Sequence, residues 1–426
     1  MDPSETPTRP APCPWTALVV IGAAAAAIRL YVGIRYNLST SGDAIRGFQF
    51  YLDLAQNFVE GRGYHWDLYG PKFANRPPGY PALLAATLVT GVYPWGALVL
   101  QSLLGGFAAV LTGCFASRLG SARAGVIAAL LVLAWPYSVM ADTALIEHAL
   151  LTVAVLCVAL AWWRFARTAG AGSALLLGAA LGAGVLVRVT VTASIPMVIL
   201  AVLLAAPRGK RFRGVLLVTV AAAAVVSPWV VRNARTVGSA TLSTDTWRAL
   251  WVAHNDFTLE VYPAASIDGA ERRAWRAMDP ETRSRILGLS NDEVAQARVF
   301  RGLVLDWVRE NPGQVVRGMF VKAGAFFSPV MNPPSDPPAW KSVAYTVSWS
   351  AAALGGLVGL LILIRRWREW LVVAALFAGF LASAVLTWGQ SRFRAPLDVL
   401  LIAAAAVLVD RIFAGKRNLA GPGIRG

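Results

Sequence analysis

Residues 41–81 read SGDAIRGFQFYLDLAQNFVEGRGYHWDLYGPKFANRPPGYP. They form the first long polar stretch after an apolar run from Trp15 to Ile34. Acids, Asp43, Asp53 and Glu60 among them, alternate with Arg46, Arg62, Lys72 and Arg76, and aromatic residues lie between the charges. Long apolar runs dominate the chain downstream. A charge-rich segment held between such runs predicts a membrane scaffold that presents this loop at one bilayer face. Asp43 and Arg76 are the two residues expected in a site at that face.

The composition supports this reading. Of the 426 residues, 57% are hydrophobic and 15% charged, against roughly a quarter charged in a soluble domain. The formal net charge of +16 does not indicate a nucleic-acid partner. The basic residues cluster in short connections between apolar runs, where the positive-inside rule expects them. Cys13, Cys114 and Cys157 form no framework. The run Trp15–Ile34 is longer than a signal h-region of about 7–15 residues and reads as an uncleaved anchor.

Working outward, candidate spans are Trp15–Ile34, Ala97–Ser117, Ala124–Met140, Ile146–Trp163, Ser173–Val187, Thr190–Ala206, Gly214–Val231, Val343–Ile364, Trp370–Trp388 and Ala395–Val409. The fold class expected is therefore an all-α integral membrane protein, a bundle of about ten transmembrane helices. It forms one domain over residues 1–426, with two large outer-face loops carrying short amphipathic helices, residues 35–96 and 232–341. With the N-terminus inside, the connections Arg118–Arg123, Arg164–Arg167, Pro207–Arg213 and Arg365–Arg368 and the tail from Arg411 all fall on the inner side, and all are basic. Gly79–Tyr93 is too short to cross and reads as a re-entrant or juxtamembrane helix entered through Pro77-Pro78. In the second loop, Asp279-Pro280-Glu281 marks a helix start. Helical apolar spacing runs over Asn291–Glu310, Gln314–Phe327 looks amphipathic, and MNPPSDPP (Met331–Pro338) reads as a stiff linker.

Positive-inside does not explain charges at the outer ends of spans: Arg29, Asp142, Glu147, His148, Arg188, Arg232, Arg392 and Arg394. Two readings stand. The charges snorkel to headgroups and pair locally, or they converge on one outward cavity. There, Arg and Lys would bind a phosphate and a carboxylate would act as base. A membrane-embedded cavity with both groups suggests a lipid-phosphate substrate. No HExxH or Cys-rich spacing supports a zinc cage. A divalent ion held by Asp43, Glu147 or His254 stays open, as a cofactor that the sequence does not establish. Walker A, GxGxxG and GxSxG signatures are missing from the sequence.

The order of the pieces is similar to that of the polyprenyl-phosphate-dependent membrane glycosyltransferases of the GT-C fold. In particular it resembles bacterial relatives of dolichyl-phosphate-mannose protein mannosyltransferases (glycosyltransferase family 39) and of the aminoarabinose lipid A transferase. The pieces are Gly42-Asp43, YLDLAQNFVEGRGY at Tyr51–Tyr64, RPPGYPALLA at Arg76–Ala85, TALIEHALL, LVRVTV at Leu186–Val191, SPWVVRN at Ser227–Asn233 and SRFRAPLDVLL near the end. The strongest is RPPGYP following A-x-N-x₃-G-x-G. The resemblance implies that Asp43 takes the proton from an acceptor hydroxyl and that Arg76, with Lys72 or Arg188, meets the donor phosphate. Glu147 would orient acceptor or donor, and Asp142 belongs to the same expected substrate-binding set. Arg232, Arg392 and His254 complete the expected substrate-binding set. Because the gap from Asp43 to Tyr51 is long, Asp53 is a rival base.

The expected partners are a polyprenyl-phosphate-linked sugar, membrane lipids and a glycan, lipid or protein acceptor. The expected location is the bacterial cytoplasmic (inner) membrane, multi-pass, with the active site on the extracytoplasmic side. The alternative function is a transporter or flippase of lipid-linked sugars, for which internal repeats and broken helices would be expected.

Overall fold

The computed structural model describes residues 12–40, 47–331 and 339–419. Asp43 and all but the first residue of the Met331–Pro338 run lie outside them. Helix α1 (Trp15–Thr40) is followed by α2 (Gln49–Val59), which buries Tyr51, Leu54 and Ala55 along one face. A small hairpin pairs β1 (Trp66–Asp67) with β2 (Pro71–Lys72). Helix α3 (Gly79–Val89) has 11 residues, about 16 Å of rise and far less than a bilayer. Helices α4 (Trp95–Leu119) and α5 (Ala122–Leu133) follow, the latter capped by Ser121 Oγ, which accepts from Ala124 N at 3.1 Å.

The expected span Ala124–Met140 is two pieces. Trp135 is extended (φ −67°, ψ 109°) ahead of α6 (Pro136–Ala141), because Pro136 lacks the N–H that would continue α5. Helices α7 (His148–Thr168) and α8 (Ala171–Val187) form a hairpin. The expected span Thr190–Ala206 opens as a tight 3₁₀ turn, Val189–Ala193, before α9 (Ser194–Ala205). Helix α10 (Arg211–Val237) runs past the expected Val231 and ends at Gly238 with φ 71°, the left-handed stop that glycine supplies at low steric cost. Arg232 is thus within the helix, not in the loop after it.

The second polar segment holds α11 (Thr246–Ala253), α12 (Thr258–Val261), α13 (Ile267–Ala277), α14 (Pro280–Gly288), α15 (Glu293–Glu310) and α16 (Pro312–Phe327). Asp279 and Asp292 cap α14 and α15 by accepting from Thr282 N and Ala295 N. Phe300 and Val304 of α15 are buried as its spacing predicts. The chain returns through α17 (Ala339–Ile362), α18 (Trp367–Leu386) and α19 (Ser391–Leu419).

Among the described residues six helices, α1, α4, α7, α10, α17 and α18, are long and apolar enough to cross a membrane. Helices α5, α8 and α9 are apolar but shorter. Helix α19 packs along α17 but carries Arg394, Asp398 and Asp410. A full count of ten spans is therefore not established by length and composition. Large apolar side chains such as Val20, Leu103, Leu216 and Leu361 face outward, as a lipid environment allows and water does not favour.

Three basic connections meet at one end of the bundle. Arg366 donates to Leu119 O at 2.7 Å and Arg118 O at 3.0 Å. Glu369 accepts from Arg167 at 3.2 Å and from Trp163 Nε1 at 3.0 Å. Helix α7 starts at the opposite end, with 21 residues between them, about 30 Å of rise. The ends that carry Glu147, Arg188 and Arg392 are therefore remote from the basic clusters.

Lys322 of α16 is 1% exposed and donates to Ala253 O at 3.0 Å. Burial brings its amine down to about 7. Between pH 7 and about 10.4 the unfolded chain binds the extra proton, so stability rises with pH across that window. Lys322→Met is expected to flatten the pH dependence of thermal unfolding in detergent between pH 7 and 9. An unchanged slope would refute the assignment.

Candidate functional site

The two polar segments fold onto one another. Ser243 Oγ donates to Asn75 O at 2.6 Å, and Thr244 N donates to Ala74 O at 3.0 Å. The Glu293 carboxylate accepts from Phe73 N and Ala74 N, both at 3.0 Å, and from Thr244 Oγ1 at 2.7 Å. Buried Glu293 thus fastens the strand before RPPGYP to the second loop. Glu293→Ala is expected to cost about 2–4 kcal/mol, read as a lowered unfolding temperature, with Glu293→Gln losing less.

Beneath this junction lies a cavity of about 810 Å³, within the usual range for small-molecule sites. Phe50, Tyr51, Trp66 and Tyr69 of the first segment form one wall; Asp245, Arg248, Glu271 and Trp275 of the second form another. Tyr137, Glu147, His148, Arg188, Arg392 and Phe393 close the membrane side. The glycine of RPPGYP explains how these walls meet. A Cβ on Gly79 would lie 2.6 Å from Leu186 O, so only glycine lets the start of α3 abut the end of α8. That contact brings Arg76 and Arg188 to one cavity.

The polar groups differ in how they are satisfied. Arg76 pairs with Asp245 at 3.0 Å and lies over the Phe50 ring at 5.0 Å. Asp245 also takes Arg248 at 2.7 Å, and Arg248 bonds Glu271. Burial alone would raise the Asp245 carboxyl, but Arg248 and Arg76 bring it below the ordinary carboxylate range. Glu147 holds Arg188 at 3.1 Å. Arg188 and Arg392 both lie over the Phe393 ring, at 4.2 and 5.1 Å. Among the described residues no carboxylate pairs with Arg392, and its buried Nε has no partner. Two guanidinium groups thus lie against one ring, and the one carboxylate paired among them, Glu147, is held by Arg188.

Of the residues expected from sequence, Arg76, Glu147, Arg188 and Arg392 line this cavity. Others do not. Lys72 is turned away to Gln296 Oε1 at 2.7 Å and Tyr69 O at 3.3 Å. Asp142 stands behind the wall, bonded to Arg29 at 2.8 Å and to His148 Nδ1 at 3.0 Å. Arg232 is spent on Phe73 O and Tyr64 O, bracing the first loop. His254 Nδ1 meets Leu250 O at 3.0 Å and is outside the lining. Asp53, the rival base, bonds Gln49 on the α2 surface at 2.9 Å. Snorkelling fails for Arg29 and Arg394, which are both fully buried. Arg394 pairs with Asp398 at 3.2 Å and donates to Tyr345 Oη at 2.6 Å.

The sequence reading missed Arg248, Trp275 and Phe393 as cavity residues, and it placed His148 only among the charges that could converge on a cavity, without a role of its own. The three it missed sit on elements whose docking is set by tertiary packing. As for a metal, Glu147 lines the cavity and His254 does not. Among the described residues no group of three His, Cys, Asp or Glu side chains could hold an ion; Asp43 lies outside them.

The dyad of polar loops over a helical bundle can be compared with known proteins. The sequence pattern of the dolichyl-phosphate-mannose-protein mannosyltransferases matches residues 75–231. That stretch includes Arg76, Glu147 and Arg188. The archaeal oligosaccharyltransferase AglB of Archaeoglobus fulgidus, solved with an inhibitory peptide and a dolichol-phosphate, superposes with a TM-score of 0.55 at 16% identity. The match covers 96% of this chain and 52% of that one.

The fold is of the GT-C type.

The same archaeal enzyme in complex with Zn and sulfate matches at a TM-score of 0.54 and 14% identity, over 94% of this chain and 50% of that one. ArnT of Cupriavidus metallidurans, bound to undecaprenyl phosphate, is 17% identical at a TM-score of 0.41, over 94% and 79% of the two chains. This GT-C chain spans about half the length of the archaeal oligosaccharyltransferase. No protein of curated function matches its sequence.

Proposed function

We propose that the protein transfers a sugar from a polyprenyl-phosphate donor to an acceptor hydroxyl by one inverting displacement. The observation that carries this is the membrane-side anion site. Arg392, half-buried and without a carboxylate partner among the described residues, stands beside Arg188 on Phe393, where a lipid phosphate would meet two guanidinium groups. As the bond from the anomeric carbon to phosphate oxygen breaks, charge grows on that phosphate, and fixed guanidinium groups stabilise it. Arg76, already neutralised by Asp245, is better placed to position the sugar than to supply free charge.

The base we assign is Asp43. It stands four residues before Gly47, whose backbone bridges to Leu145, two residues before Glu147. The acceptor enters past Trp66, Tyr69 and Trp275, where aromatic rings and the Asp245–Arg248–Glu271 network offer carbohydrate-binding chemistry. The cavity lies away from the basic connections, which supports a site on the extracytoplasmic face. The lipid tail would lie between helices and the donor would arrive laterally.

The test is release of polyprenyl phosphate from synthetic polyprenyl-phosphate mannose, glucose and arabinose by purified protein, with cell-envelope extract as acceptor. Release that depends on Arg392 supports transfer. Vesicle translocation of the intact donor without release would support a flippase instead.

A further inference from the structure

Helix α13 turns two adjacent stripes of side chains to the cavity, each with a spacing of four residues. Glu271 and Trp275 form the inner stripe; Asp268, Arg272 and Arg276 form the outer one. Ala270 and Ala274 are buried and dock the helix on the second polar segment. The inner stripe is fastened. Glu271 accepts from Arg248, and the Trp275 ring lies on that of Tyr69, with centroids 4.4 Å apart and planes within 15°. Tyr69 is held at φ 54°, in the left-handed region that a bulky residue rarely adopts. Its carbonyl oxygen accepts from Gln296 Nε2 at 3.0 Å and from Lys72 Nζ at 3.3 Å. Two contacts thus sustain a costly backbone conformation whose result is a stacked aromatic platform in the cavity wall.

The outer stripe is not fastened in the same way. Asp268 accepts from Ser266 Oγ at 2.9 Å. Arg272 and Arg276 are exposed and have no carboxylate partner among the described residues. Arg273, which does not line the cavity, pairs with Glu260 at 3.4 Å.

The carboxylates and guanidinium groups lining the cavity fall into three layers. On the membrane side Arg188 and Arg392 stand against Glu147, an excess of one cation. In the middle Arg76 and Arg248 are balanced by Asp245 and Glu271. At the rim Arg272 and Arg276 outnumber Asp268. A polyprenyl-phosphate sugar carries one phosphodiester charge, which matches the membrane-side excess. The rim excess has no counterpart in that donor, and it lies beside the aromatic platform past which the acceptor enters.

Resting on the transfer reading above, we propose that the acceptor is an anionic glycan selected by Arg272 and Arg276. One sugar ring lies on the Tyr69–Trp275 platform, where its C–H face meets an aromatic face. A carboxylate or phosphate borne on the glycan, separate from the reacting hydroxyl, is held at the rim by the two guanidinium forks, one helical turn apart. Arg272 and Arg276 are specificity-determining residues in this scheme. They choose the acceptor and do not touch the donor.

The test uses the full-length protein in detergent and three gluco-oligosaccharides of equal length: one neutral, one ending in a uronate and one ending in a phosphate. Binding is measured by titration calorimetry at low and high salt. Wild type is expected to bind one or both anionic probes about tenfold more tightly than the neutral one, with the margin shrinking at high salt. Which anion is preferred separates a carboxylate from a phosphate acceptor. The double change Arg272→Ala/Arg276→Ala should remove the margin, the corresponding lysine pair should keep most of it, and Asp268→Asn should widen it. Trp275→Leu should weaken all three probes alike. Because Arg272 and Arg276 are exposed, the double variant should unfold at the wild-type temperature. Equal affinity of wild type for neutral and anionic probes, a margin that survives the double alanine change, or no binding of any probe overturns this inference. Those outcomes leave the transfer reading standing, because release of polyprenyl phosphate with cell-envelope extract is measured separately. No release there overturns the transfer reading even where the charge preference holds.

Discussion

Arg392→Ala is expected to lower polyprenyl-phosphate release by roughly 10²–10³-fold, the usual cost of removing one fixed donor from a developing charge. The expectation rests on what Arg392 lacks. Arg76, Arg188, Arg248 and Arg394 each face a carboxylate, at 3.0, 3.1, 2.7 and 3.2 Å, whereas Arg392 faces none among the described residues. The same contrast separates function from stability. Removing Arg392 orphans no acid, so unfolding temperature should hold or rise. Removing Arg188 leaves Glu147, 7% exposed, as an uncompensated buried charge and should cost about 3–5 kcal/mol. Arg392→Lys keeps the charge but loses the planar fork and should fall between wild type and alanine. Steady-state release assays beside thermal unfolding would check both halves. Arg392→Ala with near-normal turnover would remove the anion site from the reaction.

Asp43→Asn is expected to reduce turnover by roughly 10²–10⁴-fold without a change in donor affinity, since a general base acts on the acceptor hydroxyl. Asp53→Asn is the matched control. Asp53 bonds Gln49 on the face of α2 and lies outside the cavity lining, so its loss should leave rates within a few-fold. The reversed result, Asp53 essential and Asp43 dispensable, would move the base to α2. Equal loss in Glu147→Gln alone would be ambiguous, because Glu147 also holds Arg188. Measuring donor binding with each variant separates the two roles: only the Glu147 change should weaken it.

How far the site was legible depended on what each residue interacts with. Glu147 and Arg188 stood out as charges among apolar neighbours, and such charges need specific partners; the structure supplies each with the other. Arg76 was marked by the RPPGYP turn. Lys72 and Arg232 looked equivalent to Arg76 on charge alone, yet their partners are Gln296 and the carbonyl oxygens of Phe73 and Tyr64. Nothing local to either residue announces a bond across that many positions. His148 was marked as one more charge at a span end, but its tie to Asp142, and through it to Arg29 on another helix, was not.

The sequence by itself determined that the chain is a helical membrane protein, where its apolar helices run, that Gly79–Val89 does not cross, and that charges gather at one set of helix ends. Those properties follow from hydrophobic length, proline and glycine positions and local charge, all of which act over a few turns of helix. Only the tertiary structure decided which charges share a cavity. That outcome depends on the close approach of α3 to α8 at Gly79, on Glu293 fastening the two polar segments, and on α19 carrying Arg392 to Arg188. Each is a contact between residues far apart in the chain, and its energy comes from burial and pairing that no single segment can make alone.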